Sequence, residues 1–148
     1  MPQSLSSVHI HAVFSTKDRI PYLNDRDLRL NFHGYLAEIS RNLKCGSALV
    51  GGVEDHVHIL AALDRSISVA DWIKELKRVS SMRIKSDVPQ FAWQGGYGAF
   101  SVSLGELPMV RKYIEEQERH HQSTTFKDEF LRLLREHDIE WDARYVWD

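Results

Sequence analysis

Two histidines separated by one apolar residue stand in a stretch with the composition of a buried strand. The segment from Asp55 to Leu60 reads Asp-His-Val-His-Ile-Leu. Successive side chains of a strand point to opposite faces, so His56 and His58 share one face while Val57 points to the other. Two imidazoles side by side on a rigid element are the beginning of a metal site, which then needs further ligands.

A tyrosine and a glutamine supply candidates for the missing groups. Tyr113 and Gln117 are four residues apart and therefore lie on one face of a helix. A tyrosine can act as a covalent nucleophile, but a pKa near 10 leaves only about 0.1% phenolate at neutral pH, a cost of roughly 4 kcal/mol. A divalent cation beside a scissile phosphate offsets that cost by stabilising developing charge. The carbonyl oxygen of Gln117 is a candidate third ligand of such a cation.

Each motif also has an ordinary structural interpretation. A histidine pair on a strand is more often two half-exposed polar positions than a metal site, and Tyr113 with Val110 and Ile114 fits amphipathic packing. Imidazole favours zinc, copper or iron, whereas magnesium prefers oxygen ligands, so ligand type alone indicates manganese or another transition metal. We expect His120 and His121, at the end of a helix, to gain from the helix dipole rather than to bind metal.

The composition restricts the class of protein. The chain has 148 residues, 43% of them hydrophobic, which suits one globular domain with a core. Its single cysteine excludes an internal disulfide, and a secretion signal and membrane-length apolar runs are absent, so we expect a cytoplasmic location. Residues 115–148 carry ten acidic and five basic residues, which leaves the front of the chain basic. A basic front permits nucleic-acid binding but does not demonstrate it.

The hydrophobic pattern predicts six elements that would position these residues. Strands are expected at 8–15, 47–54, 56–62 and 99–103, with one helix from Asn24 to Leu43 and another from Ser66 or Ser68 to before Asp87. The order strand, helix, strand, strand, helix, strand is that of the ferredoxin-like split βαβ arrangement, an antiparallel sheet with two helices on one face. Its first and third strands are central neighbours. His11 should then lie on the same open sheet face as His56 and His58.

Additional C-terminal helices are expected after this sheet. Pro108 fits the first turn of a helix that runs to about residue 121 and carries the tyrosine. Thr125, followed by Asp128 three residues later, is typical of the start of another helix. We therefore predict a single α+β domain over 1–148, with a core at 8–104, a tyrosine helix at about 106–121 and a C-terminal helix and tail at 125–148.

Taken as an ordered set, several segments resemble the single-tyrosine HUH insertion-sequence transposases, the small IS200/IS605-like group. These segments are His11–Lys17 (HAVFSTK), His56–His58 (HVH), Gly96–Val102 (GYGAFSV) and Tyr113 with Gln117. The resemblance covers almost the whole chain. His-Val-His alone is unspecific, whereas the ordered set is specific. Glu54 stands where many relatives have a proline, which weakens a detailed comparison at that turn.

The resemblance implies a ferredoxin-like fold, a homodimer, and cleavage and rejoining of single-stranded DNA near hairpins at the ends of a mobile element. It implies that Tyr113 attacks a phosphodiester to give a 5′-phosphotyrosine link and a free 3′-OH. His56, His58 and Gln117 would hold magnesium or manganese. It leaves open whether the tyrosine helix acts within its own subunit or completes the active site of a partner.

Under this resemblance the basic face of the second predicted helix becomes a candidate DNA track. Residues 65–85 hold six basic and two acidic residues, for which a solvated helix face is the ordinary explanation. Single-stranded DNA is bound by cationic tracks combined with aromatic stacking. The DNA-binding candidates are Lys17, Arg19, Lys74, Lys77, Arg78, Lys85 and His11.

Two other functions remain open. A domesticated relative that acts on repeated palindromes of its host genome would use the same chemistry without mobility. A non-catalytic ferredoxin-like module would bind RNA or single-stranded DNA through the basic helix and would not need its histidines. A phosphoesterase with two histidine motifs is excluded, because that chemistry requires a hydroxyl residue two positions after each histidine, where this chain has Val13 and Leu60.

Overall fold

A computed structural model describes residues 2–148 and contains a four-stranded antiparallel sheet. The strands are β1 (His9–Ser15), β2 (Leu49–Val53), β3 (His56–Ala62) and β4 (Gly98–Val102). Their order is β2-β3-β1-β4, and each neighbouring pair is antiparallel. The predicted α+β, ferredoxin-like arrangement is confirmed, including the central position of β1 and β3.

Five α-helices accompany the sheet within residues 2–148. They are α1 (Arg26–Asn42), α2 (Val69–Ile84), α3 (Leu107–Glu115), α4 (Gln117–His120) and α5 (Phe126–Glu136). Ser68, one of the two predicted candidates, caps α2, and Thr125 caps α5 as predicted. Helix α1 is capped by Asp25 rather than by Asn24. Among the helices of residues 2–148, none combines the length and apolar character that spanning a bilayer requires.

The stretch expected to form one tyrosine helix forms two. Helix α3 ends at Glu115 and α4 begins at Gln117, because Glu116 leaves helical geometry with φ −97° and ψ 19°. The side-chain amide of Gln117 still donates a hydrogen bond of 3.3 Å to the backbone oxygen of Tyr113. The break therefore keeps these two residues adjacent while it turns Gln117 into the interior.

One sheet face carries the larger apolar core. Phe14 of β1 and Val57 and Ile59 of β3 lie there in one cluster with Leu36 of α1 and Trp72 of α2. All five side chains are fully buried. Alternation along β1 and β3 sends their apolar side chains to α1 and α2 and sends the histidines to the opposite face.

The opposite sheet face, which we expected to be open, is covered by α3, α4 and α5. Val13 and Phe100 pack against Phe130 and Leu133 of α5, and Ile114 of α3 is buried in a separate cluster on the same side. The expectation was wrong because the C-terminal helices carry apolar stripes of their own, and these are buried most readily against the free face of the sheet. The histidines of β3 are thereby enclosed between the sheet and these helices.

Candidate functional site

Strand β3 places two imidazoles next to each other beneath the C-terminal helices. The rings of His56 and His58 lie with their centroids 5.2 Å apart, and both side chains are 0% exposed. The predicted shared face is confirmed, but the half-exposed positions of the ordinary interpretation are not found. His56 Nδ1 lies 2.7 Å from Asp55 Oδ1, which fixes the orientation of that ring.

A buried carboxylate from α5 lies at the centre of the site. Glu129 is 1% exposed, and its Oε1 lies 3.2 Å from His56 Nε2, 2.9 Å from His58 Nε2 and 3.1 Å from His121 Nε2. Its Oε2 accepts a hydrogen bond from the hydroxyl of Tyr113. A carboxylate removed from water is tolerated only when such partners replace its hydration. Glu129 therefore joins three histidines through Oε1 and the tyrosine through Oε2, and a fourth histidine, His120, has its Nε2 3.3 Å from Oε2.

Gln117 completes the contacts between this carboxylate and the strand. Its Oε1 lies 3.2 Å from His56 Nε2, and its Nε2 donates to Glu129 Oε2 at 3.2 Å. The structure thus brings together four residues that the sequence singled out, namely His56, His58, Tyr113 and Gln117.

Tyr113 reaches this network from α3 within the same chain. Its ring centroid lies 5.6 Å from that of His58, and its hydroxyl accepts a hydrogen bond of 2.9 Å from Arg132 Nη2. Burial, and then the charge of Glu129 and the hydrogen bond to it, raise the pKa of Tyr113 well above its usual value, while Arg132 opposes the shift. The phenol is therefore held neutral, with its proton directed at Glu129.

The two strand histidines have opposite protonation. Burial opposes the charge of His56, but the hydrogen bonds to Asp55 and Glu129 prevail and raise its pKa to about 9. Burial lowers the pKa of His58 to about 4 in spite of the same carboxylate. The structure accordingly pairs a His56 imidazolium with the Glu129 carboxylate beside a neutral His58.

The donor atoms of the cluster suit a divalent cation. One ligand atom from each of His56, His58, His121 and Glu129 lies within 4.8 Å of the others. Imidazole nitrogens with one carboxylate oxygen are typical ligands of zinc, manganese and related transition metals. A cation there would also replace the His56 proton as the counter-charge of Glu129. The residues present therefore fit a metal site.

Two members of the cluster were not found from the sequence. His121 was expected only to benefit from a helix dipole, but its ring reaches Glu129 because α4 ends over the site. Glu129 was not singled out, although it lies three residues after Phe126 and four before Leu133, within the apolar stripe of α5. A charged residue inside an apolar stripe requires buried partners and was the available signal.

His11 lies behind the pair on β1. It is buried, and its Nε2 lies 2.8 Å from His58 Nδ1, with the ring centroids 5.1 Å apart. Burial and then the neighbouring His58 hold the pKa of His11 well below its usual value. In this structure His11 orients His58, and it also forms part of the lining of a cavity beside Tyr113.

Three of the predicted DNA-binding side chains have protein partners. Lys77 Nζ donates to the backbone oxygens of Gln94 at 2.9 Å and Gly96 at 2.7 Å, and burial lowers its pKa to about 8. Arg19 Nη1 donates to the backbone oxygen of Trp147 at 2.8 Å. The third, Arg78, has its Nε 2.7 Å from a carboxylate oxygen of Glu75.

The remaining candidates are exposed. They are Lys17, Lys74 and Lys85. Helix α2, which carries the last two, packs on the sheet face opposite to the histidines. A DNA strand bound along α2 would therefore lie in a different layer from Tyr113.

Comparison with known proteins relates the chain to one family. The profile of a family described as "Transposase IS200 like" matches residues 4–117. A candidate transposase from Deinococcus radiodurans R1 has 22% sequence identity and a TM-score of 0.63, and the match covers 79% of this chain and 95% of that one. A REP-associated tyrosine transposase, solved bound to a REP hairpin, has 10% identity and a TM-score of 0.56 over 82% of this chain and 72% of its own. At these identities the two structures establish a shared fold. No curated protein matches the chain significantly.

Proposed function

Because the profile match spans more than half of its length, the chain belongs to the IS200-like transposase family, and from that premise we propose that it cleaves and rejoins single-stranded DNA through a covalent bond to Tyr113. One observation carries the proposal. The hydroxyl of Tyr113 and the imidazoles of His56 and His58 contact the same buried carboxylate, that of Glu129. A nucleophile and candidate metal ligands are thus joined within one chain.

The proposed reaction exchanges one phosphoester for another. Tyr113 Oη attacks phosphorus, the bond from phosphorus to the 3′ oxygen breaks, and the products are a 5′-phosphotyrosine and a free 3′-OH. Glu129 already accepts the hydrogen bond of the phenol and is placed to take its proton. Attack by another 3′-OH on the phosphotyrosine reverses the step and rejoins the strand.

We propose that His56, His58 and Gln117 hold the divalent cation, with Glu129 and His121 close enough to contribute ligand atoms. When bound, magnesium or manganese supplies Lewis-acid polarisation of the phosphoryl oxygen. The nitrogen-rich donor set favours manganese over magnesium.

The proposed DNA partner is single-stranded DNA with hairpins at its ends, and the active form is a homodimer of single-domain subunits. A protein of similar fold was solved on a REP hairpin, which supports the use of a hairpin ligand. The same observation favours a second candidate function, a domesticated nuclease that acts on repeated palindromes with the same chemistry. Among the predicted DNA-binding residues, Lys17, Lys74, Lys85 and Arg78 are exposed and could contact such a ligand.

A cleavage assay with single-stranded oligonucleotides from the DNA flanking the gene tests this function. We expect an SDS-resistant adduct between the protein and the 3′ fragment, formed with manganese or magnesium and abolished by EDTA. His56→Ala should lose cleavage but retain DNA binding. His9→Ala, on the half-buried first residue of β1, is the matched control, and melting curves establish that both variants fold.

A non-catalytic binding module gives a different result. In that case the chain binds the oligonucleotides without forming an adduct. Binding is then its only activity, and His56→Ala leaves that binding unchanged.

A further inference from the structure

A cavity of about 320 Å³ opens beside Tyr113 between β4, α3 and α5. Phe100, Met109 and Val110 form part of its apolar wall, and Arg132 lines it together with Tyr113. Both strand histidines and Glu129 are enclosed. The cavity, whose lining includes His11 and His137, is therefore a place where a strand of DNA can approach the tyrosine without first reaching His56 or His58.

The guanidinium of Arg132 is fixed at the mouth of this cavity. Its Nη2 donates to Tyr113 Oη at 2.9 Å, and its Nη1 donates to Glu136 Oε1 at 2.9 Å. The guanidinium carbon lies 5.6 Å from the centroid of the tyrosine ring. A guanidinium has five N–H donors, and these two bonds use two of them. With its side chain 43% exposed, Arg132 has donors available to a ligand in the cavity.

The position of the arginine follows from the requirements of the attack. A nucleophilic oxygen reacts from about 3–3.5 Å, so the scissile phosphorus must come that close to Tyr113 Oη. A phosphate that approaches Tyr113 from the cavity comes to the side on which Arg132 lies, with its Nη2 2.9 Å from the tyrosine oxygen. Guanidinium groups match phosphate in both geometry and charge.

We infer that Arg132 is a further catalytic residue, whose guanidinium binds the non-bridging oxygens of the scissile phosphate while Tyr113 attacks. This inference rests on the proposed function. As the bond from Tyr113 Oη to phosphorus forms, the bond from phosphorus to O3′ breaks. The phenolic proton passes to Glu129, and water supplies a proton to the departing 3′ oxygen. Arg132 remains protonated throughout and neutralises the charge that accumulates on the phosphate.

The same side chain also acts on the nucleophile before DNA arrives. Its Nη2 donates a hydrogen bond to Tyr113 Oη and so helps to orient the hydroxyl. Arg132 and Glu129 lie one helical turn apart on α5, so a single helix presents a cation and an anion to the same hydroxyl.

The test compares two substrates that differ in phosphate charge. Adduct formation is measured in single turnovers on a phosphodiester and on an uncharged methylphosphonate at the cleavage position. Loss of one transition-state donor slows a reaction about 10²- to 10³-fold. We expect that slowing for Arg132→Gln on the phosphodiester, a slowing of less than about fivefold on the methylphosphonate, and an intermediate rate for Arg132→Lys.

Arg135→Gln is the matched control, because Arg135 lies on the same helix with its guanidinium carbon 5.5 Å from the ring centroid of Trp141 and does not line the cavity. It should react at the wild-type rate. Equal slowing of Arg132→Gln on both substrates, with Arg132→Lys equally slow, indicates a purely structural role and overturns the inference. An unchanged rate also overturns it. Absence of any adduct with the wild-type chain instead contradicts the proposed function itself.

Discussion

The hydroxyl of Tyr113 and the carboxylate of Glu129 are hydrogen-bonded to each other, although they belong to different helices. The same carboxylate lies 2.9 Å from His58 Nε2 and 3.2 Å from His56 Nε2. One buried charge thus connects the candidate nucleophile to the candidate metal ligands. A change in the charge of Glu129 should alter both metal binding and the acidity of the phenol.

Glu129→Gln preserves the shape of the side chain and removes its charge. Loss of a metal-site partner costs about 10- to 100-fold in affinity, so we expect manganese binding, measured calorimetrically, to weaken by that factor. The pKa of Tyr113 should fall, because the Glu129 charge helps to raise it. Ultraviolet difference titration against Tyr113→Phe measures this shift.

Glu140→Gln, at an exposed position after α5, is the control for charge alone and should change neither quantity. Unaltered manganese affinity in Glu129→Gln would show that the carboxylate is not part of the metal site.

Gly51 sets the distance between β2 and the tyrosine helix. A Cβ atom at Gly51 would overlap the backbone oxygen of Ile114 and lie 2.8 Å from its Cγ2. Because Ile114 follows Tyr113, Gly51→Ala must displace the nucleophile or its helix. We expect a loss of about 1–3 kcal/mol in the free energy of unfolding and slower adduct formation, measured by urea denaturation and by gel assay.

Gly34→Ala is the matched substitution, since a Cβ there meets nothing within 4 Å on α1. It should stabilise the protein by up to about 1 kcal/mol. A Gly51→Ala protein with wild-type stability and rate would mean that this close approach does not position Tyr113.

His33, which does not belong to the Glu129 cluster, should make the free energy of unfolding depend on pH. It is 7% exposed, and within residues 2–148 its Nε2 has no hydrogen-bond partner. Burial, followed by the charge of Arg29, lowers its pKa to about 4, whereas the unfolded chain takes up the proton near pH 6.5. The stabilisation from neutral His33 is complete above pH 6.5 and is lost as the pH falls toward 4. At pH 5 this lowers the free energy of unfolding by about 2 kcal/mol.

Urea unfolding of the wild-type chain and of His33→Leu at pH 7.5 and pH 5 measures this loss. The variant should lose about 2 kcal/mol less than the wild-type chain between the two pH values. Equal losses in the two proteins would show that His33 titrates normally in the folded state.

Substitutions of Lys77 and Lys74 should distinguish a lysine whose hydrogen bonds stabilise the fold from a lysine that contacts DNA. The Lys77 ammonium bonds the carbonyls of Gln94 and Gly96, so Lys77→Met should lower the free energy of unfolding by about 1–3 kcal/mol. Lys74 is exposed, so Lys74→Met should leave stability unchanged. If Lys74 contacts phosphate, its loss reduces the salt dependence of DNA binding by about one unit of slope. An unchanged slope would remove Lys74 from the DNA-binding surface.

Local patterns were sufficient to predict the sheet and its two first helices. Alternation along β1 and β3 predicted which side chains face α1 and α2. The cap at Thr125 was predicted from side-chain chemistry, whereas that of α2 was narrowed only to Ser66 or Ser68. The proposed ligand set required the tyrosine helix to lie over the histidines, but the sequence left open which subunit supplies it. The placement of α5 was not predicted, because a helix with an apolar stripe can cover any exposed apolar surface. The break at Glu116 likewise depends on tertiary packing that draws Gln117 inward.

Local patterns also showed part of the candidate site, namely which residues share a face within one strand or one helix. His56 and His58 share a face through strand geometry, and Tyr113 and Gln117 through helical spacing, so each pair was visible in the sequence. Glu129 joins the two pairs only after α5 docks on the sheet, a long-range contact that no local period encodes. Its position within an apolar stripe was the one sequence signal.

Mapping of the linked peptide tests most directly whether Tyr113 forms the covalent bond to DNA. The wild-type chain, incubated with a hairpin-bearing single-stranded oligonucleotide and manganese, is digested and sequenced by tandem mass spectrometry. We expect that the 5′ phosphate of the 3′ fragment is attached to Tyr113, that Tyr113→Phe forms no adduct, and that Tyr97→Phe, at an exposed tyrosine, forms it normally. An adduct that persists in Tyr113→Phe, or that maps to another residue, would show that Tyr113 is not the nucleophile.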